Sequence, residues 1–154
     1  MVDINTLLVA TDFSEASRAA TTFAFRLARS LNAHLYILHV VPQYDVQLIS
    51  AVSGQLQSHI KPETLIETYY ADADKQLTEL VENAQAGDLV RERLIVTGEP
   101  ADEIVNWAAA KQAQLLIVGT HGRSGLERFI IGSVAERVLR QATCAVMVVP
   151  ANGP

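Results

Sequence analysis

Little in this chain points to a chemistry at first glance. One cysteine, Cys144, stands in 154 residues, which excludes an intrachain disulfide and any metal site built from several thiolates. It sits in an apolar stretch and reads as a small core residue. The twelve lysines and arginines form no run and the net charge is −5, so the basic patch of a nucleic-acid binder is missing. No apolar run reaches the ~18 residues that would span a membrane. The opening Met1-Val2-Asp3-Ile4-Asn5 lacks the basic region of a signal peptide, and a cytoplasmic protein is expected. His34, His39 and His59 do not cluster with cysteines or carboxylates at metal-ligand spacing; His39, inside an apolar run, reads as a satisfied core residue.

What is present is a large apolar fraction, 49% against 19% charged. That composition supports a folded core, and the length suits one domain: residues 1–150, with a tail at 151–154. Five short runs, 4–10, 34–41, 92–97, 115–118 and 145–149, are almost continuously apolar, as strands covered on both faces are. Helical periods separate them. Ser14 can cap a helix carrying Ala16, Ala20, Phe23, Leu27 and Leu31, with Asn32 as its stop. Residues 43 to about 60 read as a long connection with a helical turn near 46–52. Pro62 begins a long amphipathic helix carrying Leu65, Tyr69, Ala73, Leu77, Leu80 and Ala84, which Gly87 ends. Glu67, Asp72, Asp74 and Glu79 decorate its solvated side. Pro100 starts a helix carrying Ile104, Trp107 and Ala108, and Val134, Val138 and Leu139 mark the last. The fold class is therefore α/β, a five-stranded parallel doubly wound sheet with helices on both faces, Rossmann-like. Ligands of such sheets bind beyond the carboxyl ends of the strands.

The segment from Gly119 to Ser133 follows the fourth strand at such an end. It is not the dinucleotide fingerprint, because the first strand is followed by Thr11-Asp12-Phe13-Ser14 rather than by glycines. It is not a P-loop either, because Ser133 stands where the lysine after the last glycine should be. What remains is G-x2-G-x9-G-S, with Gly119 and Gly122 at the strand end and Gly132-Ser133 at the start of the last helix. Bare backbone N–H groups at such places hold phosphates.

With its stretch GTHGRSGLERFIIGSVAERVLRQATCAVMVV, the opening LLVATDFSEAS and the second strand ILHVV, the chain resembles the universal stress protein family in its nucleotide-binding branch. The likeness runs over essentially the whole chain. It implies an adenine nucleotide alpha-hydrolase-like fold and an ATP-binding regulatory or sensor module in the stress response, with ADP or AMP as other occupants. It also implies Mg²⁺ or Mn²⁺ beside the triphosphate, and a homodimer. Carried over by position, Asp12 contacts the ribose, with Ala10 and Thr11 beside the nucleoside. Val40 offers its backbone to the adenine edge, and Gly119 approaches the ribose. The Gly122, Arg123 and Ser124 amides meet the phosphates, and Gly132, Ser133 and Val134 close around them. Where relatives often have Cys-Pro, this chain has Cys144-Ala145.

Several residues keep two readings. Asp12 either contacts ribose or stabilises the first turn. Arg123 either grips phosphate or is a solvated loop arginine, and His121 either donates to phosphate or makes a structural bond. Ser133 with Glu136 fits a capping box, so its hydroxyl is expected to cap the empty protein and turn to phosphate in the filled one. No catalytic residue stands out. Slow hydrolysis and a nucleotide-free interaction module remain beside the binding reading. The apolar last strand would lie at a sheet edge, where pairing with a second copy covers it.

Overall fold

The computed structural model describes residues 3–55, 61–120 and 131–151. Ten elements follow one another: β1 (Thr6–Ala10), α1 (Glu15–Leu31), β2 (His34–Pro42), α2 (Gln43–Gln55), α3 (Pro62–Asn83), β3 (Val90–Gly98), α4 (Pro100–Ala110), β4 (Leu115–Gly119), α5 (Ser133–Gln141) and β5 (Ala145–Val149). The five strands form one sheet in the order β3-β2-β1-β4-β5, and every neighbouring pair is parallel. This is the expected doubly wound sheet.

Alternation along each strand divides the core in two. Leu7, Val9, Leu35, Ile37, Leu115 and Ile117 join α1 and α3 on one face. Leu8, Leu38, Leu116 and Val118 join α4 and α5 on the other. The reason is handedness: right-handed crossovers place α1 and α3 on one side while the chain winds from β1 to β3, and α4 and α5 on the opposite side once it returns to β4.

Helix starts agree with the sequence signals. Ser14 caps α1 by accepting from the Ser17 N–H, and Pro62 and Pro100 occupy the first turns of α3 and α4. The face of α1 is largely the expected one: Ala16 is buried, and Phe23 and Leu27 pack half-buried against the core. Ala20, Ala24, Phe25 and Ala28 are buried, while Leu31 is exposed. Small residues let the helix lie close to the sheet. The approach is closest at Gly119, where an added Cβ would stand 2.7 Å from the carbonyl carbon and 2.8 Å from the carbonyl oxygen of Ala16. Gly119 is thus required by packing at the end of β4.

Helix ends bring a correction. Gly87 does not terminate α3. Gln85 takes the left-handed conformation with φ 50°, and the Ala86 N–H reaches back to the Val81 carbonyl. Gln112 (φ 54°) does the same after α4, with Ala113 bonded to Ala108, and Asn32 (φ 53°) after α1, with Ala33 bonded to Ala28. Each is a Schellman-type ending; only Asn32 is a residue type that advertises one.

The segment read as a long connection is largely α2. This helix packs against α3 and β2 but leaves Tyr44, Leu48 and Val52 exposed, so it has no amphipathic pattern facing the core. The acidic residues Glu67, Asp72, Asp74 and Glu79 on α3 are exposed, as expected. Cys144 is half-buried and packs against the α4–α5 core; burial pushes its thiol up, the opposite of the lowering that activates a reactive cysteine.

Two stability measurements check this packing. Gln112→Gly removes the cost of a side chain in the left-handed region and should stabilise the protein by about 0.5–1 kcal/mol in urea unfolding. Gly119→Ala drives a methyl group into the α1 backbone and should cost about 1–3 kcal/mol. An unchanged unfolding midpoint in the Ala variant would rule out that close contact.

Candidate functional site

β1 lies between β2 and β4, and its chain leaves toward one face while the chain from β4 leaves toward the other. A crevice opens at such a reversal, and here it is a cleft of 330 Å³. Its lining comes from the carboxyl ends of three strands and the starts of three helices. β1 and the turn after it supply Ala10, Thr11 and Asp12. β2 supplies Leu38, Val40 and Pro42, and the end of β4 supplies Val118, Gly119 and Thr120. Pro100 and Ile104 from α4, Ser17 from α1, and Gly132 to Ala135 at the start of α5 complete it.

Of the residues singled out from the sequence, Ala10, Thr11, Asp12, Val40, Gly119, Gly132, Ser133 and Val134 all line this cleft. His121, Gly122, Arg123 and Ser124 lie outside the described residues. The two parts of the glycine pattern do meet. The Gly132 N–H donates to the Thr120 carbonyl, and the Thr120 N–H donates to Val149 at the end of β5. The ends of the intervening segment are therefore tied together beside the cleft.

Two chemically different walls result. One is apolar: Leu38, Val40, Pro42, Pro100, Ile104 and Val118. The inward alternation of β2 and β4 and the first turns of α4 place them there. Sequence reading passed over most of them because they look like ordinary core. The other wall is polar. Among the described lining residues Asp12 carries the only charged side chain. Its Oδ1 accepts from the Ser14 N–H at 3.0 Å, which is the turn-stabilising role foreseen for it, and the residue also lines the cleft. Ser17, also overlooked, is a hub. Its hydroxyl lies 3.1 Å from Thr11 Oγ1, accepts from the Asp12 N–H at 3.3 Å and donates to the Ser14 carbonyl at 3.1 Å.

The start of α5 departs from expectation. Ser133 is the first helical residue and Gly132 is the N-cap, with no side-chain cap bond. The capping box therefore does not form. The Glu136 N–H instead bonds the Gly132 carbonyl at 2.9 Å, a backbone bond that leaves the Ser133 hydroxyl outside the cap. With no capping oxygen, the N–H groups of Ser133, Val134 and Ala135 have no acceptor within their own helix. They carry the positive end of the α5 dipole to the cleft.

Arg137 on α5 holds the two cleft-bordering helices together. Its Nη1 is 2.7 Å from Glu99 Oε1 and its Nη2 is 2.8 Å from Asp102 Oδ1, so the start of α4 is tied to the middle of α5. Trp107 lies toward the other end of α4, where Lys111 Nζ stands 5.3 Å from its ring centre; it is packing, not part of the cleft. Among the described residues no group of three or more His, Cys, Asp or Glu is arranged to hold a metal, and no helix is long and apolar enough to cross a membrane.

Comparison with known proteins agrees with this geometry. The chain is 35% identical over 149 residues to the universal stress protein YxiE of Bacillus subtilis, covering 94% of this chain and 98% of the relative. It is 33% identical over 143 residues to the universal stress protein MJ0531 of Methanocaldococcus jannaschii, covering 93% and 80%. The fold matches the universal stress protein UspA of Lactobacillus plantarum with a TM-score of 0.78 at 22% identity, over 96% of this chain and 99% of that one. Two further solved relatives hold nucleotides. One is a universal stress protein in complex with cAMP (TM-score 0.66, 25% identity, 97% and 99% covered). The other is the Archaeoglobus fulgidus protein in complex with dAMP (0.61, 26%, 96% and 98%). The model of the universal stress protein family matches residues 4–150, and the chain belongs to that family.

Proposed function

We propose that this protein is an adenine-nucleotide-binding regulatory module that holds ATP, with ADP or AMP as its other occupants. The observation that carries the reading is the pairing, in one cleft, of an apolar wall with a carboxylate and an uncapped helix start. The apolar wall of Val40, Ile104 and Val118 suits a purine base, and the Val40 backbone suits its polar edge. Asp12 suits ribose hydroxyls, which need an acceptor. The α5 start, Gly132-Ser133-Val134, suits phosphate. The nucleotides in the cAMP and dAMP complexes of relatives support the same chemistry.

A divalent cation fits as a companion of the phosphates. Mg²⁺ commonly takes only one or two protein carboxylates and completes its shell with water and phosphate oxygens. Asp12 supplies one such carboxylate. A site built from protein ligands alone would need more of them than the described lining offers.

Holding is favoured over turnover. Phosphoryl transfer needs a positioned nucleophile and charge compensation, and Ser133 rather than a lysine follows the last glycine of the pattern. Thermal unfolding with ATP, ADP, AMP and cyclic nucleotides, with and without Mg²⁺, tests the reading. Ligand at a hundred times its Kd should stabilise the fold by about 2.7 kcal/mol. Asp12→Ala should weaken ATP binding by roughly 10-fold or more, as loss of a hydrogen bond to a charged group does. Rapid steady-state phosphate release, abolished by Asp12→Ala and by Gly132→Val, would replace this reading with an ATPase.

The module is further proposed to work as a homodimer through β5. Both sheet edges are strands, but they differ. β3 carries the exposed charges Arg91, Glu92 and Arg93, which discourage strand pairing. β5, Ala145 to Val149, carries none, and exposed Leu139 lies on the adjoining α5. A second copy fits that edge. Val148→Lys should convert the dimer to a monomer in analytical ultracentrifugation at micromolar concentration; a wild type that sediments as a monomer there sinks the idea.

A further inference from the structure

We propose that Arg18 and His39 are positioning residues for Asp12, holding the two carbonyls that flank it and so aiming its carboxylate at the sugar of a bound nucleotide. This rests on the nucleotide reading above. The Thr11 carbonyl receives His39 Nδ1 from β2 at 2.8 Å. The Phe13 carbonyl receives Arg18 Nε from α1 at 2.9 Å. A carbonyl only accepts, so the proton between His39 and Thr11 resides on Nδ1.

The turn needs such holding. Phe13 has φ 64°, a left-handed conformation that costs a bulky residue roughly 1–2 kcal/mol and persists only where the surroundings impose it. The surroundings are specific. The Phe13 ring lies 4.5 Å from the His39 ring, and the Phe13 N–H donates to Thr11 Oγ1 at 3.1 Å. His39 is fully buried, so its ring is fixed by the core. Arg18 is exposed and is steadied by Gln76 on α3, whose Oε1 lies 3.4 Å from Nη2. Without these donors the Phe13 peptide would relax toward the right-handed region and rotate Asp12 away from the cleft. Neither residue lines the cleft, so each acts through the main chain.

The test compares ATP with 2′,3′-dideoxy-ATP by titration calorimetry, because only the first has hydroxyls for Asp12. The wild type should prefer ATP by roughly 10-fold, the size of a hydrogen bond to a charged acceptor. Arg18→Leu, on the surface, should keep its thermal midpoint and its affinity for the dideoxy nucleotide. Its preference should shrink to about 3-fold or less as Asp12 loses alignment. Arg18→Lys, which keeps a donor, should recover part of it. His39→Asn, whose amide replaces Nδ1, should retain the preference, and His39→Leu should lose it. Preference unchanged in both Arg18→Leu and His39→Leu overturns the positioning roles while leaving nucleotide binding intact. A wild type that binds neither nucleotide overturns the binding reading, and this one with it.

Discussion

Every feature of the cleft depends on β1 being the middle strand. Paired in parallel with β2 on one side and β4 on the other, it is buried on both faces, and Leu7, Leu8 and Val9 are fully so. The first half of the chain winds away from it in one direction and the second half in the other. At its carboxyl end the two connections must diverge to opposite faces, and among the described residues a cleft is left between them. The cleft is a consequence of winding and handedness before it is a consequence of any polar residue.

Close approach of α1 is the second constraint. An alanine-rich face and the absent side chain of Gly119 bring the helix backbone against the end of β4. That places Ser17 where its hydroxyl can bond Thr11, Asp12 and Ser14 together. A bulkier contact at Gly119 would push α1 outward and loosen the turn that carries Asp12. Packing at one glycine and the geometry of one carboxylate are thus parts of the same arrangement. Arg137 does the corresponding work across the cleft by tying α4 to α5.

The fold was legible in the sequence because its signals are local and redundant. Five apolar runs, Ser14 before α1, and prolines at the first turns of α3 and α4 each have one physical meaning, and they agree. Three features escaped, for distinct reasons. Gln85 and Gln112 end helices in a left-handed conformation that glutamine does not advertise; the tertiary packing of Ala86 and Ala113, both buried, imposes it. α2 keeps Tyr44, Leu48 and Val52 exposed, so the usual rule relating hydrophobic period to burial does not apply to it. The apolar cleft wall, Leu38, Pro100, Ile104 and Val118, could not be told from core, since both are apolar residues at inward positions. Asp12 at a strand end was easier to single out, because a carboxylate has no place in a core, whereas Ser17 gave no such signal.

Ser133 shows where pattern alone misleads. S-x-x-E at a helix start fits a capping box, yet the cap is the glycine before it, and the difference matters chemically. At α1 the Ser14 hydroxyl accepts from the Ser17 N–H, so that helix start satisfies one of its own donors and is less available to an anion. At α5 a glycine cap offers no side-chain acceptor, and the first-turn donors remain for something else. Glu99 at α4 also makes no side-chain cap bond, but Pro100 removes one of the donors there. Of the three helix starts bordering the cleft, α5 is therefore the one whose backbone best suits phosphate. On the proposed function, that asymmetry orients the nucleotide, with the base against the α4 and β2 wall and the phosphates toward α5.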